Sequence, residues 1–146
     1  MTTIQRNALV AQPPAVLYAL VNDVAAYPRH FDWCTGSMVL EQSASDMLAR
    51  MDLRVAGMPA SFTTRNTLTP VSRIELALVD GPFQRFGGLW TFDALGDNGC
   101  RVGLRLQFEL AGKLLGSALA LGFTGLADRL VDDFCRVARM EAANAG

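Results

Sequence analysis

The strongest constraint on the fold is a stripe of apolar residues near the C-terminus. Between Lys113 and about Met140, large apolar side chains recur every three or four residues, the spacing that places them on one face of an α-helix. They are Leu115, Leu119, Phe123, Leu126, Leu130, Phe134 and Val137. Charged pairs one turn apart, such as Arg129 with Asp133, occupy the other face. The pattern predicts one long helix, half in a core and half in water.

The first half of this helix differs from the second. From Ala111 to Ala127 the only charged residue is Lys113. Glycines weaken a helix by about 1 kcal/mol each relative to alanine, and this half contains Gly112, Gly116, Gly122 and Gly125. We expect this apolar, loosely helical half to form a lid at the open end of the domain.

Composition limits the classes of protein that the chain can belong to. A chain of 146 residues fits a single domain, residues 1–146, with a hydrophobic core. The net charge of −1 gives no reason to expect DNA binding. The apolar stretch 111–127 is shorter than the ~20 residues of a membrane-spanning helix, and no signal peptide is recognisable. We therefore expect a cytoplasmic protein, able to rest peripherally on the inner face of the membrane.

Metal binding and disulfide bonding are not predicted. Cys34, Cys100 and Cys135 are odd in number and far apart, and His30 is the single histidine. This spacing forms neither a disulfide framework nor a zinc site. We expect reduced thiols that act as small packing residues, no metal and no catalytic cofactor.

Most of the remaining chain alternates between apolar and polar residues, the pattern of half-buried β-strands. In the last strand, Cys100, Val102, Leu104, Leu106, Phe108 and Leu110 point to one side. Strands are predicted at 3–11, 34–40, 47–56, 60–69, 73–79, 84–94 and 100–110. A short helix is predicted from Pro13-Pro14 to Val21, with one more turn at 24–27 that ends before Pro28.

This order of elements predicts the fold class. Consecutive strands joined by short turns form an antiparallel sheet, and its single apolar face must be covered. Only the C-terminal helix is long enough to cover it. The prediction is an α+β helix-grip fold, with a curved antiparallel sheet of about seven strands around the helix and one or two short helices after the first strand.

Several short strings, in this order and spacing, resemble the coenzyme Q-binding branch of the START-like (polyketide cyclase/dehydrase and lipid transport) superfamily, which includes the bacterial RatA-type ribosome association toxins. The strings are Val21-Asn22-Asp23, Tyr27-Pro28, Trp33-Cys34, Phe62-Thr63-Thr64-Arg65, and Asp80-Gly81-Pro82-Phe83 followed by Gly88, Trp90 and Phe92. The resemblance covers nearly the whole chain. It implies a non-catalytic carrier of ubiquinone, or of a similar isoprenoid or lipid, that supports respiration.

The predicted inward side chains suit such a ligand. We expect a cavity of roughly 300 Å³, with Thr64 and Asn66 placed to orient a quinone carbonyl. Its predicted lining is Met51, Leu53, Phe62, Thr64, Asn66, Leu76, Phe86, Trp90, Leu104, Leu106, Leu119, Phe123 and Leu126. Its predicted mouth, which would contact the membrane surface transiently while the ligand leaves, is Tyr27, Phe31, Trp33, Phe83 and Leu115.

Two other functions remain open. Relatives in the wider superfamily include polyketide cyclases, but the inward positions contain no His, Asp, Glu or Lys, so an acid–base enzyme is disfavoured. The RatA-type relatives imply binding to the large ribosomal subunit and interference with subunit association. The arginines predicted to contact phosphates for that purpose, on the solvent face of the sheet, are Arg50, Arg54, Arg101 and Arg105.

Overall fold

The computed structural model describes residues 1–114 and 116–145. Leu115, predicted for the cavity mouth, lies outside the described residues. The strands are β1 Thr2–Val10, β2 Cys34–Gln42, β3 Asp46–Val55, β4 Met58–Thr69, β5 Arg73–Asp80, β6 Phe83–Leu95 and β7 Gly99–Leu110. The α-helices are α1 Pro14–Asn22, α2 Tyr27–His30 and α3 Ala118–Ala145, and 3₁₀ turns span Val24–Ala26 and Gly112–Leu114.

The strands form one antiparallel sheet in the order β1-β7-β6-β5-β4-β3-β2. Each strand from β2 to β6 pairs with the next one along the chain, and β1 pairs with β7 through nine residues on each strand. The alternation of buried and exposed residues follows the sequence pattern, with every second side chain of β7 from Cys100 to Leu110 buried. The predicted curved sheet around a C-terminal helix is confirmed.

Helix α3 covers the apolar face of the sheet. Its buried residues include Leu119, Phe123, Leu126, Ala127, Val131, Phe134, Cys135, Val137 and Ala138. The helix packs against β1, β3, β7 and α1. An ion pair between Arg6 of β1 and Asp128 joins the helix to the edge of the sheet. The apolar stripe of the sequence is therefore the buried face of the helix.

The predicted start of this helix at Lys113 is wrong, because two residues end the preceding turn and begin a new element. Gly116 has a left-handed backbone with φ of 73°, which a helix cannot accommodate. Ser117 then caps the helix, because its Oγ accepts a hydrogen bond of 3.2 Å from the Ala120 backbone N–H. Helix α3 therefore begins at Ala118.

The predicted break before Pro28 is also wrong. Pro28 lies at the start of α2, where the missing N–H of a proline costs no helical hydrogen bond. The short elements between α1 and β2 therefore continue for one further turn, and they place Tyr27 and Phe31 in the core.

Candidate functional site

An internal cavity lies between the inner face of the sheet, α3 and the end of α1. Its volume is about 80 Å³. Every strand from β3 to β7 contributes to its wall, as do the middle of α3 and the segment 21–27. The lining residues are Val21, Asn22, Val24, Tyr27, Trp33, Ala49, Met51, Leu53, Phe62, Thr64, Asn66, Ile74, Leu76, Trp90, Leu106, Phe123, Leu126, Ala127, Leu130 and Phe134.

Polar groups interrupt this apolar wall at two places. On β4, the Thr64 hydroxyl donates a hydrogen bond of 2.8 Å to the Asn66 Oδ1, and both residues are buried. Across the cavity, the buried Oδ1 of Asn22 has no hydrogen-bond partner among the described residues. Buried polar atoms without partners are uncommon in folded proteins. The cavity therefore offers amide groups to a ligand as well as apolar contact.

A cluster of phenylalanines closes one end of the cavity. Phe83 lies at its centre, with ring centroids 5.5 Å from Phe62, 5.0 Å from Phe86 and 4.9 Å from Phe123. Phe123 also contacts Phe108, at 4.8 Å. These edge-to-face and tilted contacts are the favourable geometries for aromatic pairs. This end of the interior is packed solid.

The Asp80-Gly81-Pro82-Phe83 string brings Phe83 into that cluster. Gly81 has φ of 155°, and a Cβ at this position would lie 2.5 Å from the Phe62 Cβ. Only glycine allows the turn between β5 and β6 to approach the Phe62 side chain so closely.

A second aromatic cluster borders the other end. Phe31 stacks on Trp33 at 4.8 Å and packs against Phe134 at 4.6 Å. The Tyr27 hydroxyl donates a hydrogen bond to the Val21 carbonyl, and complete burial raises the pKa of this phenol well above its ordinary value. Tyr27 thus stays protonated and holds the α2 segment against α1.

Most of the residues predicted to line the cavity do so. Of that set, Phe86, Leu104 and Leu119 do not contact the cavity and pack in the core around it. Of the four mouth residues that the structure describes, Tyr27 and Trp33 reach the cavity, whereas Phe31 and Phe83 are buried away from it. Whether the lining residues bind a ligand stays a prediction.

In the structure, part of the segment predicted to form a lid packs against the rest of the fold. Phe123 is only 6% exposed, whereas Leu121 is 72% exposed. Phe123 belongs to the inward stripe of α3, and the aromatic rings around it leave it little access to solvent. Gly122 packs tightly as well, since a Cβ there would lie 2.7 Å from Val55 Cγ1 and 2.9 Å from the Ala56 Cβ. The start of α3 is therefore fixed on the β3–β4 turn.

Some lining residues were not predicted from the sequence. They are Val21, Asn22, Val24, Ala49, Ile74, Ala127, Leu130 and Phe134. Leu130 and Phe134 belong to the apolar stripe of α3 and could have been assigned from it. Asn22 lies within a string that resembles the family, but its position at the cavity depends on how α1 packs, which the local sequence does not specify.

The interior is poorly suited to acid–base or nucleophilic chemistry. Among the described residues that line the cavity, Tyr27 is the one titratable group, and its pKa is raised. Burial also raises the pKa of the Cys34, Cys100 and Cys135 thiols, so they are weaker nucleophiles than exposed cysteines. Within residues 1–114 and 116–145, no group of His, Cys, Asp and Glu side chains is placed to hold a metal ion.

The arginines predicted for the sheet surface have different surroundings. Arg50 forms an ion pair of 3.1 Å with Asp52, and Arg101 lies opposite Asp93 in the strand register. A hydrogen bond from Ser61 and the contact with Arg50 hold the pKa of Asp52 below its usual range. Arg54 instead borders a surface pocket beside α3.

A curved antiparallel sheet that closes over a long C-terminal helix around a small internal cavity defines a START-like, helix-grip protein. The solved structure of the Zhui aromatase/cyclase from a Streptomyces species shares this fold, with a TM-score of 0.83, 20% identity, and coverage of 99% of this chain and 98% of that chain. The profile of the family named polyketide cyclase / dehydrase and lipid transport matches residues 10–135, and the chain belongs to this family.

Two curated relatives match over nearly the whole chain. The ribosome association toxin RatA of Pseudomonas aeruginosa is 44% identical over 138 residues, which are 94% of this chain and 96% of RatA. The mitochondrial coenzyme Q-binding protein coq10 of Schizosaccharomyces pombe is 25% identical over 140 residues, with 92% of this chain and 85% of coq10 covered. No helix in the described part of the chain combines the length and apolar character needed to cross a membrane.

Proposed function

We propose that this protein associates with the large ribosomal subunit and hinders its association with the small subunit. The observation that carries the proposal is the 44% identity to a ribosome association toxin across 94% of the chain. The cavity is compatible with it, since Tyr27, whose pKa is raised, is the one titratable group among the described residues of its wall. On this view the fold acts as a rigid body that presents a binding surface.

Sedimentation with purified ribosomes tests this proposal. Added protein should sediment with the large subunit and should shift the distribution from joined ribosomes toward free subunits. The Zhui aromatase/cyclase is a matched control, because it has the same fold at 20% identity. Absence of the protein from both subunit fractions at low salt, where electrostatic binding is strongest, would refute the proposal.

The second candidate function is binding of an apolar ligand such as ubiquinone. The specific observation that favours it is the apolar cavity with the Thr64–Asn66 pair in its wall. An Asn66 amide whose oxygen accepts from Thr64 has its NH₂ group left to donate to a carbonyl. The 25% identity to the coenzyme Q-binding protein coq10 supports the same ligand class.

In this conformation the cavity is too small to hold a quinone. A volume of about 80 Å³ is far below the roughly 300 Å³ expected from the sequence and typical of small-molecule pockets. It is also smaller than a cavity of about 150 Å³ that accommodates benzene. The chemical character of the lining residues therefore suits a quinone, but the volume of the cavity does not. Binding requires side chains such as Met51 and Leu76, which are half-buried, to move outward.

Thermal unfolding with and without ligand tests the second candidate. A short-chain ubiquinone should raise the Tm of the wild type, because a ligand that binds only the folded state stabilises it. Asn66→Leu removes the polar contact while keeping a similar side-chain volume, and it should reduce that rise more than it reduces the response to an isoprenoid hydrocarbon. Native mass spectrometry of freshly purified protein should detect a co-purified hydrophobic molecule. An unchanged Tm with every ligand would refute the carrier function.

A further inference from the structure

A surface pocket lies on the outer side of Trp33, opposite the internal cavity. Its volume is about 460 Å³, and its wall includes Trp33, Arg54 of β3, and Arg129, Asp133 and Arg136 of α3. The backbone N–H of Arg54 donates to the Trp33 carbonyl at 3.0 Å, which fixes β3 beside the segment 31–33. The three residues of α3 are spaced by four and three positions, so they lie on one face of the helix. The pocket thus brings three guanidinium groups around one indole ring.

The acidic residue in the middle of this pocket is already engaged. One carboxylate oxygen of Asp133 accepts from Arg136 at 3.3 Å, and the other accepts from the Trp33 indole N–H at 3.3 Å. The Asp133 side chain is only 15% exposed. It therefore acts as a positioning group that holds Trp33 and Arg136 in place. The pairing of Asp133 with Arg129, expected from helical spacing, is replaced by its pairing with Arg136.

Arg54 and Arg129 keep their charge uncompensated. Neither side chain forms an ion pair or a hydrogen bond with any described residue. The other carboxylate of the pocket, Asp32, cannot neutralise both. Elsewhere on the surface, Arg65 lies between Asp46 at 2.6 Å and Glu41 at 3.1 Å. The pocket beside Trp33 is therefore a site with excess positive charge and free guanidinium donors.

We propose that this pocket is where the protein binds the sugar–phosphate backbone of ribosomal RNA. Arg54 and Arg129 supply the fork-shaped donors that match a phosphate oxygen pair. Trp33 supplies an aromatic surface of the kind that packs against an unstacked base or a ribose. This inference rests on the proposed ribosome association, and it names the surface and the chemical group that would be recognised.

The experiment is equilibrium binding of the purified large subunit over a series of salt concentrations. The test variant is Arg54→Gln with Arg129→Gln. The matched control is Arg73→Gln with Arg85→Gln, which removes the same charge from exposed positions of β5 and β6. Each phosphate contact makes the slope of log K against log salt more negative by about 0.7 to 0.9. The test variant removes two such contacts, so its slope should be shallower by about 1.4 to 1.8 and its affinity about 10- to 100-fold weaker, while the control should stay near the wild type.

A second variant distinguishes the effect of the positive charges from the effect of the planar shape of the guanidinium groups. Arg54→Lys with Arg129→Lys keeps both charges but not the planar fork, so it should retain the wild-type salt slope and lose part of the affinity. All variants should unfold close to the wild-type Tm, because neither the Arg54 nor the Arg129 side chain forms an ion pair or a hydrogen bond with any described residue.

Three results would overturn the inference. If the sheet control weakens binding and the pocket variant does not, the surface is wrong while ribosome association stands. If the pocket variant loses affinity with an unchanged salt slope, the partner group is not a phosphate, and a ribosomal protein occupies the pocket. If the wild type does not bind the large subunit, the proposed function and this inference both fail.

Discussion

Replacing Gly88 with alanine should fill part of the internal cavity and leave the protein folded. Gly88 lies in β6, between Leu76 of β5 and Leu106 of β7. A Cβ at this position would lie 2.7 Å from Leu106 Cδ2 and 3.1 Å from Leu76 Cδ1. Both atoms are the ends of side chains that line the cavity. They can therefore move into open space, by several tenths of an ångström, without disturbing the backbone.

The expected change in stability is small because opposing effects are similar in size. Burial of the added methyl group contributes about 0.8 kcal/mol, and loss of glycine's freedom in the unfolded chain contributes about 0.4–1 kcal/mol. Crowding of a packed core costs about 1–3 kcal/mol, and the adjacent cavity places this site at the low end. We expect the free energy of unfolding to change by no more than about 1.5 kcal/mol.

Gly103→Ala is the matched control. It also lies in a strand, and its Cβ would be 2.7 Å from the end of a side chain, the Thr91 Oγ1. It faces the outer surface of the sheet, away from the cavity. Urea unfolding should give similar stabilities for the two variants. A Tm rise caused by short-chain ubiquinone, if the wild type shows one, should shrink in Gly88→Ala and persist in Gly103→Ala.

Two outcomes would refute this reasoning. A loss of more than about 3 kcal/mol in Gly88→Ala, the scale of a large core truncation, would mean that Leu106 and Leu76 cannot relax into the cavity. An undiminished ligand response in a stable Gly88→Ala variant would mean that the ligand binds somewhere other than this cavity.

Further predictions concern the helix and the thiols. Phe123→Asp should unfold the protein or cost at least about 3 kcal/mol because the carboxylate would be buried, whereas Leu121→Asp, at a position 72% exposed, should be nearly neutral in urea unfolding. Gly122→Ala should destabilise by about 1–3 kcal/mol through its contact with Val55, whereas Gly125→Ala, with open space around it, should stabilise by about 0.5–1 kcal/mol. Burial raises the pKa of the three cysteine thiols, so the folded state keeps protons that the unfolded chain releases above a pKa of about 8.5. The urea concentration at the midpoint of unfolding should therefore decrease as the pH is raised from 8 to 10. The decrease should be smaller after all three cysteines are replaced by alanine, and an equal decrease in that variant and the wild type would contradict this account.

Much of the candidate site could be predicted from local patterns. Alternation in β3, β4 and β7 identifies Met51, Leu53, Asn66 and Leu106 as inward residues, and they line the cavity. Alternation gives only the face on which a side chain lies. It does not say how far along the strand the cavity extends, so the pattern assigns Leu104 and Phe86 to the cavity although they pack beside it.

The sequence by itself determined the succession of strands along the chain, the single apolar face of the sheet and the helix that covers it, because periods of two and of three to four residues are properties of local backbone geometry. Only the tertiary structure decided what lies between sheet and helix. The phenylalanine cluster around Phe83 fills one end and leaves about 80 Å³ at the other, and that volume depends on how side chains from distant elements interlock. The pocket that joins Arg54 to Arg129 was likewise set by packing, since it brings together residues of β3 and α3 that are far apart along the chain.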